Sequence, residues 1–142
     1  MARKKPRAPL TPSLYANPGT LLFHVDPYNA WRKMRGHSEH SLKRDTHTVL
    51  RFIRFCEERG VHSPHEVTRA FLERYQKHLS RCTTSKGKDL SIHAQLNYIL
   101  SVRGFFRFLA KERLIPFNPA AELDLPRVGK RLPRHVLTAE EA

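Results

Sequence analysis

The sequence predicts an all-α fold of four to five helices, and three observations lead to this prediction. Apolar residues recur at steps of three and four along four segments, which is the spacing of one helical face. Capping and helix-ending residues mark the ends of these segments. No segment shows the convincing alternation of a strand, and a chain of 142 residues that is 39% hydrophobic can bury the core of one domain.

The first two predicted helices are separated by Gly36. Asp26 and Pro27 have the types typical of an N-cap and a first helical residue, which predicts a helix over residues 27–35. Ser38 then caps a helix from residue 39 to about residue 59, where Gly60 ends it. The residues expected on the inner faces are Tyr28, Trp31 and Met34 in the first helix and Leu42, Thr46, Val49, Ile53 and Cys56 in the second.

Two further helices follow, separated by a polar loop over residues 81–89. Thr68 caps the third helix, and Ser91 caps a long fourth helix that reaches about residue 113. The expected inner residues are Phe71, Leu72, Tyr75 and Leu79, then Ile92, Leu96, Ile99, Phe105, Phe106 and Leu109.

We assign the helical domain to residues 21–116, and both ends of the chain differ from it in composition. Residues 1–20 hold four basic residues, four prolines and no acidic residue, which predicts a disordered, flexible basic arm. The arm is either a solvated tail or a segment that binds phosphates, and the sequence does not distinguish between these two roles. Prolines and basic residues in residues 117–142 predict an extended linker.

The net charge of +13 favours a polyanionic partner, either nucleic acid or an anionic membrane. No apolar run approaches the roughly 20 residues that span a bilayer, and the N-terminus lacks the apolar stretch of a signal peptide. We therefore expect a soluble, cytoplasmic protein with no membrane partner.

The outward faces of the two long helices carry the candidate binding residues. A DNA-binding helix needs cations for phosphates and amide or small side chains near base edges. Any soluble bundle exposes a polar face, but the basic sign of both faces favours nucleic acid. The candidates are His40, Lys43, Arg44, His47, Arg51 and Arg54 on the second helix, and His93, Asn97, Ser101, Arg103 and Arg107 on the fourth, where Gly104 continues the face and leaves room for close backbone approach.

Motifs for catalysis or metal binding are absent from the sequence. Cys56, His62, His65, His78 and Cys82 match no zinc-module spacing, and Cys56 falls on a predicted apolar face. The sequence has no GxGxxG, GxxxxGK[ST], GxSxG or HExxH motif. We expect no catalytic residues in this chain, no metal, no cofactor and no small-molecule substrate.

Three segments in this order resemble a known family. They are HSEHSLKRDTHTVLRFIRFCEERG, then HSPHEVTRAFLERYQKHL, then SVRGFFRFL followed by Asn118-Pro119-Ala120 and Leu132-Pro133-Arg134. Together they resemble the N-terminal SAM-like core-binding domain of phage integrase or Xer-type tyrosine recombinases, from about Thr20 onward.

The resemblance implies a SAM-like helical bundle that forms half of a clamp around duplex DNA, with the two long helices across the major groove. In that family a tyrosine of a separate catalytic domain attacks the phosphodiester, and such a domain would follow Leu137. None of Tyr15, Tyr28, Tyr75 and Tyr98 is then expected to act as the nucleophile, and this chain alone is not expected to be an enzyme.

The expected function is double-stranded DNA binding within DNA integration or site-specific recombination, with other recombinase protomers on the DNA as partners. The alternative is a basic helical interaction module that binds RNA or an acidic protein. Stacked exposed aromatic residues or an RNP-like strand would favour RNA, and neither is evident in the sequence.

Overall fold

Four α-helices form the protein in this computed structural model, which describes residues 17–84 and 86–126. They are α1 (Val25–Met34), α2 (Glu39–Glu58), α3 (Arg69–Arg81) and α4 (Ile92–Lys111), with 3₁₀ turns at Leu22–His24 and Pro64–Glu66. In the described ranges the only extended pairing is the isolated bridge between Thr83 and Asp89. The prediction of an all-α fold is confirmed.

The helix ends follow the capping residues that the sequence predicts. The side chains of Ser38, Thr68 and Ser91 each accept a hydrogen bond from the backbone N–H three residues later, at 3.2, 3.1 and 3.1 Å. Gly36 and Gly60 have φ angles of 89° and 73°, the left-handed conformation that ends α1 and α2 at little cost for glycine.

The predicted start of α1 is wrong by two residues. The helix begins at Val25 and continues directly from the preceding 3₁₀ turn, so Asp26 lies inside its first turn. Pro27 is the third helical residue, where a backbone N–H would have no acceptor within the helix. The turn is held in place because the Leu21 N–H donates to the His62 carbonyl at 2.7 Å.

Aromatic rings dominate the core between α2, α3 and α4. The Phe52 ring lies 4.9 Å from that of Tyr75 and 5.8 Å from that of Phe106, measured between centroids, and all three residues are fully buried. The Cys56 thiol is also buried, as predicted, and burial raises its pKa far above the ordinary value.

Four residues predicted to face inward lie outside the core. Met34 and Ile92 are 79% and 45% exposed, because each lies at the end of its helix, beyond the aromatic core. Thr46 and Leu96 are only half-buried, and Thr48 and Gln95 are buried in their place.

Residues 115–126 pack across α3 and α4 without regular structure. Ile115, Ala120 and Leu123 are buried there. Asn118 donates from Nδ2 to the Arg103 carbonyl at 3.2 Å, and Gln76 donates to the Asp124 carbonyl at 2.9 Å. Most of the predicted arm and the predicted linker beyond residue 126 lie outside the described residues. Within the described ranges, no helix has the length and apolar character required to cross a membrane.

The Tyr75 hydroxyl provides a test of the core. It is buried and has no hydrogen-bond partner among the described residues. A buried hydroxyl without a partner loses its hydrogen bonds to water on folding and forms none in return. Tyr75→Phe removes this cost, so it should leave the free energy of unfolding unchanged or raise it by up to about 1 kcal/mol. Urea denaturation measures this value, and a loss above about 1 kcal/mol would mean that the hydroxyl has a partner in solution.

Candidate nucleic-acid interface

A groove with a cavity volume of about 850 Å³ lies between the first half of α2 and residues 94–107 of α4, with α1 as its third wall. We call it the α2–α4 groove. It is lined by Tyr28, Trp31, Arg32, Arg35, His37, His40, Lys43, Arg44, Asp45, His47, Thr48, Ala94, Asn97, Tyr98, Leu100, Ser101, Gly104 and Arg107.

The lining of the groove is strongly cationic. It contains five Lys or Arg residues and one carboxylate, Asp45. Four of the five cations are exposed, namely Arg35, Lys43, Arg44 and Arg107. Their charges therefore reach solvent, while the fifth cation, Arg32, is buried.

An ion pair with a buried guanidinium and a half-buried carboxylate forms the floor of the groove. The Arg32 guanidinium on α1 donates from Nη2 to Asp45 Oδ2 on α2, and the two side chains are 6% and 19% exposed. Ser101 on α4 donates from Oγ to the other carboxylate oxygen at 3.3 Å. These contacts tie all three walls together and neutralise the one acidic group of the groove.

Tyr28 packs against Gly104, which also lines the groove, so the close approach of DNA to this glycine stays a prediction. A Cβ at Gly104 would lie 3.0 Å from Tyr28 Oη. Burial raises the pKa of the Tyr28 phenol, which therefore stays protonated at neutral pH. Gly104 permits tight packing of α1 on α4 within the protein.

The α1 wall was not predicted from the sequence. Trp31 is half-buried, with the Arg35 guanidinium 4.7 Å and the Lys111 ammonium 5.5 Å from its ring. Two signals could have identified this wall. Arg32 follows Tyr28 by one helical turn, and Asp45 is the only acidic residue between Glu39 and Glu57 of a basic helix.

The structure brings seven of the eleven predicted site residues together in the groove. Six of these seven are exposed, and the seventh, Ser101, is half-buried and donates a hydrogen bond to Asp45. The seven are His40, Lys43, Arg44, His47, Asn97, Ser101 and Arg107.

Arg51 and Arg54, in the second half of α2, do not line the groove. Arg51 lies 4.9 Å above the Tyr98 ring and donates to the Tyr98 hydroxyl at 3.3 Å. Arg54 is half-buried, and its Nε is buried without a hydrogen-bond partner among the described residues. Both guanidinium groups are less available than the sequence pattern indicates.

His93 and Arg103 also lie outside the groove lining. His93 is exposed near the start of α4. Arg103 donates to the Ala121 carbonyl at 3.3 Å and lines a second cavity of about 490 Å³, which shares Leu100, Gly104 and Arg107 with the groove. Across residues 17–84 and 86–126, no three or more His, Cys, Asp or Glu side chains form a group able to hold a metal ion.

Comparison with known proteins identifies the family. The profile of the phage integrase SAM-like domain matches residues 20–124. The chain belongs to the phage integrase SAM-like domain family. The match covers all four helices and the whole α2–α4 groove.

Relatives of this SAM-like domain are tyrosine recombinases. The chain is 42% identical over 106 residues to tyrosine recombinase XerC 2 of Ralstonia nicotianae, which covers 75% of the chain and 30% of the relative. It is 31% identical over 111 residues to tyrosine recombinase XerC of Bacillus subtilis, covering 75% and 33%. The chain thus spans about a third of the length of these relatives. No solved structure matches it.

Removal of the Asp45 charge tests the floor of the groove. Asp45→Asn leaves the buried Arg32 guanidinium without its counter-charge, so we expect a loss of about 3 kcal/mol in the free energy of unfolding. Chemical denaturation measures the loss. Glu73→Gln, the same change at an exposed position on α3, is the control and should stay within about 0.5 kcal/mol of wild type. Equal effects of the two substitutions would contradict a structural role for the pair.

Proposed function

We propose that the α2–α4 groove binds double-stranded DNA and that the chain supplies this binding to a tyrosine recombinase. The observation that carries the proposal is the groove itself. Four exposed cations surround it, and its one carboxylate is already paired with Arg32. Such a surface attracts a polyanion and repels none of its phosphates at close range.

Duplex DNA fits this surface better than other polyanions. The major groove of B-DNA is about 12 Å wide and accepts an α-helix, whereas the major groove of A-form RNA is too deep and narrow for one. The α2–α4 groove presents the first half of α2, with Lys43 and Arg44, and one side of α4 from Ala94 to Arg107. Lys43 and Arg44 on α2 and Arg107 on α4 would contact phosphates.

The names of the relatives support a role in recombination. Each is a tyrosine recombinase of which this chain matches about a third. We assign DNA binding to this third and the breaking and rejoining of strands to the remainder of such enzymes. Other recombinase protomers on the same DNA are the further partners that this assignment implies.

The salt dependence of binding tests the assigned surface. With on the order of six phosphate contacts, the affinity for a duplex should fall about a thousandfold between 50 and 200 mM salt. Replacement of Lys43, Arg44 and Arg107 together by Ala should reduce the slope of log affinity against log salt by about three. Fluorescence anisotropy with a labelled duplex measures both quantities.

A matched control removes the same charge elsewhere. Arg74, Lys77 and Arg81 are exposed on α3 and do not line the groove. Their replacement by Ala should change the slope by less than about one, because they would make no direct phosphate contact. Equal effects of the two triple variants would indicate that the overall net charge of the protein attracts the duplex and that the groove makes no specific phosphate contacts. Preference for an RNA duplex of the same sequence would favour the alternative function.

A further inference from the structure

We propose that the groove-facing side of α4 reads A·T base pairs, with the Asn97 amide bound to adenine and the Leu100 side chain against the thymine methyl group. This inference rests on the proposed binding of duplex DNA. The inference goes beyond duplex binding because it names the base pairs that the surface prefers and the two side chains that select them.

The positions of the two side chains on α4 support this reading. Ala94, Asn97 and Leu100 follow one another at steps of three, so they lie on one side of the helix, and all three line the α2–α4 groove. Asn97 is exposed there. An asparagine amide can donate and accept at once, which matches adenine N7 and N6 in the major groove.

Leu100 is an apolar side chain in a cationic groove. It is 42% exposed, whereas its neighbour Ile99 is 1% exposed, so the core does not require the Leu100 side chain. The isobutyl group of Leu100 can neither donate a hydrogen bond to a phosphate nor offset its charge. The apolar group that the major groove offers is the thymine C5 methyl, which lies on the same edge as the adenine atoms of its base pair.

Two of the groove's groups that could read a G·C pair are occupied, while we assign its exposed cations to phosphates. A carboxylate can accept from cytosine N4, but both Asp45 oxygens already accept hydrogen bonds, from Arg32 and Ser101. The Ser101 hydroxyl is used in the same contact. Arg107 lies seven residues beyond Leu100, about 10 Å along the helix, and is the residue that we assign to a phosphate there.

Selection from a random duplex pool tests the preference. The 142-residue chain should enrich adjacent A·T pairs at low salt. Leu100→Ala should lose the selection at the pair whose thymine methyl it contacts, and Asn97→Ala should lose the selection at the adjacent pair whose adenine it binds. Ile92→Ala removes another aliphatic side chain, 45% exposed on the same helix but outside the groove, and should select the same sequences as wild type.

Replacement of the selected thymine by deoxyuridine then removes only the methyl group. Wild type should lose about fourfold in affinity, the value expected for one buried methyl group, and Leu100→Ala should lose nothing. An equal loss in both proteins, or selection of G·C pairs, would overturn the inference and leave duplex binding intact. Failure of wild type to bind any duplex would overturn the proposed function as well.

Discussion

The Arg32–Asp45 pair is the contact on which the groove depends. It joins α1 to α2, and the hydrogen bond from Ser101 extends the connection to α4. A buried guanidinium without a carboxylate would be costly, and a carboxylate without the guanidinium would repel phosphates. The pair therefore fixes the three walls and removes the one negative charge from a surface that we assign to a polyanion. A hydrophobic pair of similar volume could join α1 to α2 equally well, but it would not hold Ser101.

The two long helices divide their length between folding and binding. The aromatic core uses their second halves, where Phe52 of α2 meets Phe106 of α4. The groove uses mainly their first halves, from His40 to Thr48 on α2 and from Ala94 on α4. Because the aromatic core and the groove lie on different sides of α4 and mainly at different ends of α2, charged and amide side chains can lie close together without entering the core.

The sequence predicts the fold well and the site in part. Helical spacing and caps such as Ser38 identified all four helices, because these signals are local in the chain. The same spacing placed Arg51 on an open face, although it packs on Tyr98, which is 47 residues away. The same spacing assigned Gly104 only to the approach of DNA, although this glycine also accommodates Tyr28 of α1. Contacts between helices depend on packing, and a single helical wheel carries no information about them.

The central claim is that the α2–α4 groove is the surface that meets DNA. Backbone amide chemical shifts, followed by NMR while a duplex is added at low salt, test this claim residue by residue. The account predicts that the largest changes fall in residues 35–48 and 93–107 and that α3 changes little. Changes centred on α3, with the groove residues unaffected at saturation, would contradict it.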